Sequence, residues 1–164
     1  MMWTFLQDYQ KSRIMNFLDQ QSNILGANYH ITQSKIALGS GGFFGKGFLE
    51  GTQSHLSFIP EMQTDFIFSV LGEEFGFLGI IVLFLLYLLI TLTCIYITLN
   101  SKNYFSKVFG ISFIFSFTLS IFINIGMVTG LIPVVGVPLP LCSFGGSAMV
   151  SFFLGFGILL SGYN

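Results

Sequence analysis

A long run without charge, residues 75–99 (FGFLGIIVLFLLYLLITLTCIYITL), constrains the fold more than any other feature of the sequence. At about 1.5 Å rise per residue, a helix of this length exceeds the roughly 30 Å hydrocarbon core of a bilayer. Residues 108–132 and 144–160 form two further apolar runs, separated by the helix-breaking stretch PVVGVPLPLCS. The sequence therefore predicts an all-α polytopic membrane protein with three transmembrane helices.

Composition supports a membrane protein and excludes other classes. Charged residues are 8% of the chain, far below the roughly 25% that is typical of soluble domains. No basic run is present, so nucleic acid is excluded as a partner. Cys94 and Cys142 fit no metal-ligand spacing, and no metal site is predicted. Ser143 and Ser147 have no base partner at an informative spacing, which argues against a serine nucleophile.

The loop NSKNYFSK at 100–107 predicts the orientation of the helices. It carries Lys102 and Lys107 and no acid, so the positive-inside rule places it in the cytoplasm. The polar region 1–64 and the 133–143 loop then lie on the outer face, and the C-terminus returns to the cytoplasm. The sequence therefore predicts two parts, an extracytoplasmic region (1–64) and a membrane domain (65–164). So long a polar region ahead of a spanning helix predicts that the chain is the C-terminal part of a larger protein.

The glycine-rich stretch LGSGGFFGKGF has two interpretations. It fails the phosphate-loop pattern because Ser40 stands where the first glycine is required and Gly47 follows Lys46 in place of Ser or Thr. A tight structural turn is the preferred interpretation. The alternative is an anion site formed by backbone N–H groups and Lys46.

Acidic residues lead into the first apolar run, in FIPEMQTDFIF. On a continuous helix, polar and small residues recur at spacings of three and four and form one stripe. The stripe comprises Glu61, Asp65, Ser69, Gly72, Glu73 and Gly76, opposite Phe66, Ile67, Val70 and Leu71. We expect the stripe to face protein or a water-filled cavity, because ionisable groups facing lipid are costly. The alternative is an interfacial helix cap with solvated acids.

The later helices carry small and polar residues of their own. Asn124 and Thr129, with Gly126 and Gly130, predict a face suited to close helix packing. The stretch SFGGSAMV opens the third helix with small residues, among them Ser143, Gly145 and Gly146. These residues either let another backbone approach closely or line a groove.

Five separated stretches resemble, in order and spacing, the C-terminal part of the RodA/FtsW/SpoVE (SEDS) family. They are DYQKSRIMNFLD, GANYHITQSKIALGSGGFFGKGF, GTQSHLSFIPEMQTDFIFSVLGEEFGFLG, NIGMVTGLIPVVGVPLPLCSFGGSAMV and GFGILLS. The stretches GTQS and INIGMV are closer to the RodA branch than to the FtsW branch. The resemblance implies the last three helices of a ten-helix bacterial inner-membrane protein, with residues 1–64 as most of the large extracytoplasmic loop before them.

By that resemblance, the activity is a peptidoglycan glycosyltransferase that polymerises lipid II for rod-shape determination and cell elongation. The catalytic base implied is Asp65. The residues implied or considered as substrate contacts are Lys46, Glu61, Thr64, Ser143, Gly145 and Gly146. The partners implied are lipid II, membrane lipids and a class B penicillin-binding protein that contacts the helices at 75–99 and 108–132. The resemblance implies no particular cofactor, and a divalent cation is one of several ways to counter the pyrophosphate charge.

Two other functions are consistent with the same residues. A proline-broken segment and membrane-embedded acids are also features of a lipid II flippase. A non-catalytic scaffold of the cell-wall machinery is the third hypothesis. Family members contain roughly seven helices before the part matched here, so we expect the chain to need those helices for full activity.

Overall fold

A computed structural model describes residues 27–51 and 64–163, and every regular element in these two ranges is a helix. The elements are α1 (Ala27–Ser40), α2 (Ile67–Asn100), α3 (Tyr104–Val128) and α4 (Gly146–Ser161). By length and composition, α2 and α3 are able to cross a membrane, and α4 is a shorter apolar helix. The predicted all-helical membrane architecture is confirmed at this level.

A sharp break at Gly76 divides α2 into two helical segments. Gly76 has φ 65° and ψ −161°, values that a residue with a side chain rarely adopts. The rings of Phe68 and Phe84 are 6.5 Å apart, whereas an unbroken helix would separate these positions by about 24 Å. Residues 67–75, here called the half-helix, therefore fold back along the spanning segment that follows the break.

This reversal corrects one expectation from the sequence. The predicted span 75–99 begins at the break, but helical structure begins at Ile67. The helix does not continue in one direction through Gly76. The stripe of polar and small residues thus lies on the half-helix rather than along a single long helix.

A loop at residues 41–47, here called the glycine loop, seals the break in α2. The Lys46 and Gly47 amides donate to the carbonyls of Glu73 and Glu74, at 3.0 and 3.1 Å. On the other side of the break, the Phe77 amide donates to the Gly42 carbonyl at 3.0 Å, and the Leu78 amide donates to the Phe43 carbonyl at 3.2 Å. A helix end leaves such backbone groups without intrahelical partners, and leaving them unsatisfied in an apolar environment is costly. The loop therefore replaces hydrogen bonds that the reversal removes.

Glycine is required where the loop and the break meet. A Cβ on Gly41 would collide with the Gly72 carbonyl, and one on Gly45 would collide with the Glu74 carbonyl. A Cβ on Gly76 would collide with the Gly45 amide nitrogen. The structural turn that the sequence favoured is present, and its glycines permit backbone-to-backbone contact.

Aromatic side chains hold α2, α3 and α4 together. Phe117 on α3 lies at the centre, with its ring 6.0 Å from that of Tyr87 on α2 and 5.6 Å from that of Phe152 on α4. Phe113 packs edge-on against Phe156, with ring centroids 5.0 Å apart. These contacts build a buried core that fixes α3 between the other two helices.

The ends of α3 and α4 differ from the predicted spans of 108–132 and 144–160. α3 begins at Tyr104 and ends at Val128, because Gly130 (φ 74°) turns the chain back. The Gly126 carbonyl accepts hydrogen bonds from the amides of Leu131 and Ile132, at 2.8 and 3.0 Å, which completes the turn. α4 occupies Gly146–Ser161, close to its predicted span.

Hydrogen bonds tie both ends of the bundle. At one end, the buried Ser34 hydroxyl of α1 shares its single proton between the Val128 carbonyl at the end of α3, at 2.9 Å, and the Ile31 carbonyl of its own helix, at 2.8 Å. At the other end, the Ser101 hydroxyl donates to the Gly162 carbonyl, at 2.7 Å. The loop after α2 and the end of α4 therefore share one end of the bundle, as the predicted topology requires.

We expect Gly76→Ala to destabilise the protein severely. The substitution adds a positive-φ penalty of about 1–3 kcal/mol and a collision with the Gly45 backbone that cannot relax without opening the loop. Gly39→Ala is the matched control, because a Cβ there meets no atom within 4 Å and the site is helical. Thermal unfolding in detergent measures both variants. A Gly76→Ala melting temperature equal to that of Gly39→Ala would contradict the sealed-break interpretation.

Candidate active site

Asp65 lies two residues before the half-helix and faces the loop between α3 and α4. It is partly buried. A Cβ placed on Gly136 would lie 3.3 Å from Asp65 Oδ2, so the carboxylate occupies space that a side chain at 136 would restrict. Gly136 has φ 81°, a conformation that favours glycine. The carboxylate therefore lies against bare backbone of the 133–143 loop.

Asn124 on α3 connects the two segments that meet at Asp65. Its Nδ2 group donates to the Asp65 carbonyl at 3.0 Å and to the Val137 carbonyl at 2.8 Å. The side chain is fully buried, about one turn inside the C-terminal end of α3. Asp65 therefore lies within this end of the helix bundle, beside α3, and not at the start of a membrane-spanning helix.

The energetic balance at Asn124 is close to neutral. Each of its two hydrogen bonds contributes a net ~1 kcal/mol, whereas a buried polar atom without a partner costs about 1–3 kcal/mol. Asn124 Oδ1 accepts no hydrogen bond from the residues that the structure describes. The residue therefore fixes geometry while adding little net stability.

The 133–143 loop is anchored independently of Asn124. The Tyr87 hydroxyl on α2 donates to the Pro140 carbonyl at 2.6 Å. The Leu139 amide donates to Ser143 Oγ at 2.7 Å, and the Ser143 amide donates to the Leu139 carbonyl at 3.0 Å. Leu139 and Pro140 are fully buried, so the loop packs back into the bundle as a fixed element.

A cavity of about 400 Å³ opens between the half-helix and the start of α4. Its wall is formed by Ile67, Cys142, Ser143, Phe144, Gly145, Gly146 and Met149. Ile67 comes two residues after Asp65. The structure thus gathers three predicted site residues, Ser143, Gly145 and Gly146, around one cavity whose wall also includes a residue two positions after the candidate base.

The structure places the other predicted site residues unevenly. Thr64 lies in the same turn as Asp65, and Glu61 lies outside the described residues. Lys46 does not line the cavity. Its ammonium pairs with the buried carboxylate of Glu73 at 2.8 Å.

The structure argues against one part of the anion-site interpretation, in which backbone N–H groups of the glycine loop bind an anion. The amides of Lys46 and Gly47 donate to the helix-break carbonyls, and the Gly45 amide donates to the Gly41 carbonyl at 2.8 Å. These N–H groups are therefore not available to an anion. The described part of the chain also contains no cluster of three or more His, Cys, Asp or Glu side chains that could hold a metal ion.

The expectation that the acidic stripe faces protein is confirmed for four of its described members. Ser69, Gly72, Glu73 and Gly76 are all buried. Phe66, predicted to lie on the opposite face, is also buried, because it precedes the first helical residue and does not follow the helical period. The solvated-cap alternative is wrong for Glu73, whose carboxylate lies in the interior.

Sequence reasoning missed the roles of Asn124 and Tyr87. It assigned Asn124 to helix packing and gave Tyr87 no role. The available signal was a carboxamide within a charge-free run, since polar groups at membrane depth are costly and commonly functional.

We expect Lys46→Met to lower the free energy of unfolding by about 3 kcal/mol, because the buried Glu73 carboxylate loses the ammonium beside it. Water reaches the lysine, whose side chain is 27% exposed, so the loss falls at the low end for buried pairs. Adding Glu73→Gln should restore most of the stability. Lys102→Met, at an exposed loop position, is the control. Chemical denaturation measures the series, and a double variant no more stable than Lys46→Met would contradict a structural ion pair.

Comparisons with known proteins identify the family of this chain. The model of the FtsW/RodA/SpoVE family, described as cell cycle protein, matches residues 1–162. The peptidoglycan glycosyltransferase MrdB of Escherichia coli K12 is 52% identical over 161 residues, covering 98% of this chain and 44% of that protein. The peptidoglycan glycosyltransferase RodA of Treponema pallidum is 42% identical over 156 residues, covering 95% of this chain and 36% of that protein.

A solved structure extends the agreement to the fold. It is a chain from a peptidoglycan synthase complex that coordinates polymerization and crosslinking, and it matches with a TM-score of 0.72 and 27% identity. The match covers 98% of this chain and 43% of that one. This chain therefore spans less than half the length of the relatives it matches. On the family match and the identity to its members, the chain belongs to the FtsW/RodA/SpoVE family.

Proposed function

We propose that this chain carries the general base of a bacterial inner-membrane peptidoglycan glycosyltransferase, and that Asp65 is that base. The observation that carries the proposal is the position of Asp65, whose carboxylate lies against Gly136 and which comes two residues before Ile67 in the cavity wall. The relatives named as peptidoglycan glycosyltransferases support the reaction class. We propose lipid II as the substrate and cell elongation as the process, in line with the RodA-like stretches.

The chemistry needs one carboxylate in this position. The acceptor sugar's 4-hydroxyl loses a proton as its oxygen attacks the anomeric carbon of the donor, and the bond from that carbon to the lipid pyrophosphate breaks. An aspartate within hydrogen-bond reach accepts the proton. The pyrophosphate is a good leaving group, so no second carboxylic acid is required to protonate it. Its charge must be countered by cationic side chains, backbone dipoles or a divalent cation.

The surroundings of Asp65 suit a sugar acceptor. Gly136, Gly145 and Gly146 present backbone where side chains would narrow the approach to the carboxylate or to the cavity. We propose that Ser143, Gly145 and Gly146 form the wall against which the sugar lies, with Thr64 beside the base. Glu61 remains a predicted substrate contact. Lys46 also remains a predicted substrate contact, with its ammonium paired to Glu73.

We further propose the topology of the last three helices and preceding loop of a ten-helix family member. The Asp65 end of the bundle then faces outward, and the end with Ser101 and Gly162 faces the cytoplasm. α2 and α3 expose apolar faces along their lengths. These faces suit membrane lipids and the transmembrane helix of a class B penicillin-binding protein.

Asp65→Asn should reduce lipid II polymerisation by at least about a hundredfold, the scale of a lost general base. The experiment replaces the matched part of Escherichia coli MrdB with this chain and measures polymer from purified lipid II in proteoliposomes. Glu50→Gln is the control, because it neutralises an exposed carboxylate at the end of the glycine loop. Undiminished polymer from Asp65→Asn would overturn the assignment. Retained lipid movement or partner capture without polymer from the unsubstituted chimera would favour the flippase or the scaffold.

Gly136→Ala should lower kcat by about tenfold or more, because displacement of a catalytic group by even 1 Å is costly. Its Cβ would contact Asp65 Oδ2 at 3.3 Å, and φ 81° adds strain. Gly157→Ala on α4 is the matched control, since a Cβ there meets nothing within 4 Å. Steady-state polymerisation kinetics of the same chimera measure both. Wild-type kcat in Gly136→Ala would show that the carboxylate does not need this space.

A further inference from the structure

We propose that Asn124 is the positioning residue of the active site. It holds the Asp65 carboxylate in a fixed position relative to the 133–143 loop. This inference rests on the proposed function of Asp65 and adds a second residue to it. Asn124 touches neither carboxylate oxygen. Its contacts are with the backbone on both sides of the site, at the carbonyls of Asp65 and Val137.

The contacts around Asp65 form a closed ring. Asn124 holds the backbone of Asp65, the Asp65 carboxylate lies against Gly136, and Gly136 is joined covalently to Val137, whose carbonyl returns to Asn124. Through this ring the Asp65 backbone is held relative to the 133–143 loop, which is itself anchored to α2. A shift of the Asp65 backbone would move the carboxylate relative to the loop backbone beside it.

The carboxamide is suited to this role because its two N–H bonds diverge from one planar nitrogen. Two carbonyls that accept from the same NH₂ group are fixed in direction as well as distance. The donor assignment is unambiguous, since both partners are carbonyl oxygens that can only accept. A side chain of the same size without two donors cannot hold both segments.

The position of Asn124 makes a packing role insufficient. The residue is fully buried in an apolar helix, where an aliphatic side chain would fill the same space but would remove the donor to the Asp65 and Val137 carbonyls. Its carboxamide oxygen accepts nothing from the described residues, which offsets the gain from its two donors. What the carboxamide supplies is a fixed relation between Asp65 and the loop.

Two variants distinguish a positioning role from a packing role, because the two roles predict opposite orders of activity. Asn124→Asp keeps the size of the side chain and loses at least one donor, because a neutral carboxyl has one O–H and a carboxylate has none. Asn124→Gln keeps both donors and adds a methylene. Positioning predicts that Gln retains more activity than Asp, whereas packing predicts the reverse.

The test uses the chimera with Escherichia coli MrdB and purified lipid II, with rates normalised to folded protein. We expect Asn124→Asp to lower kcat about 10- to 100-fold with KM for lipid II within about twofold, because a misplaced base slows chemistry more than binding. We expect Asn124→Gln to recover part of that loss. Ser34→Ala removes a buried hydroxyl that also donates between helical elements, to Val128, and should lower the melting temperature while leaving kcat unchanged.

A second measurement, made on this chain alone, tests the role of Asn124 without relying on catalytic turnover. Amide hydrogen exchange at residues 64–66 and 135–137 should accelerate together in Asn124→Asp, and the same amides should be unaffected by Ser34→Ala. Unchanged exchange in Asn124→Asp would show that Asn124 does not hold the Asp65 backbone to the 133–143 loop. A kcat for Asn124→Asp equal to or above that of Asn124→Gln would overturn the positioning role, while full activity of Asp65→Asn would instead overturn the proposed function on which it rests.

Discussion

The reversal of α2 at Gly76, sealed by the glycine loop, is the constraint on which the rest of the structure depends. A helix that turns back leaves carbonyls on one side and N–H groups on the other without partners. The glycine loop supplies acceptors and donors for both sets, and only glycine at positions 41, 45 and 76 allows the backbones to approach this closely. The reversal brings the start of the half-helix back inside the bundle.

The candidate site follows from that reversal. Because the half-helix returns along the spanning segment, Asp65 lies beside α3, near the C-terminal end of that helix. Asn124 and the 133–143 loop then enclose it from two sides. The Lys46–Glu73 ion pair links the glycine loop to the same half-helix. The candidate base thus lies two residues before a short helix that is fixed at both of its ends.

The sequence predicted the membrane class and the approximate spans, because charge-free runs report directly on burial in lipid. It did not predict the reversal, since a single glycine within an apolar run is compatible with a straight helix. It identified the glycine-rich turn but not its partner, because backbone-to-backbone contact leaves no signal in side-chain chemistry. It singled out Asp65 by a family motif and missed Asn124, whose two partners are carbonyl groups that any residue would provide.

The most direct measurement is a structure of the chimera with an uncleaved lipid II analogue bound in the acceptor position. The account predicts the acceptor 4-hydroxyl within about 2.6–3.2 Å of an Asp65 carboxylate oxygen, with the sugar against the wall formed by Ser143, Gly145 and Gly146. An acceptor hydroxyl paired with another carboxylate, with Asp65 out of hydrogen-bond reach, would contradict it.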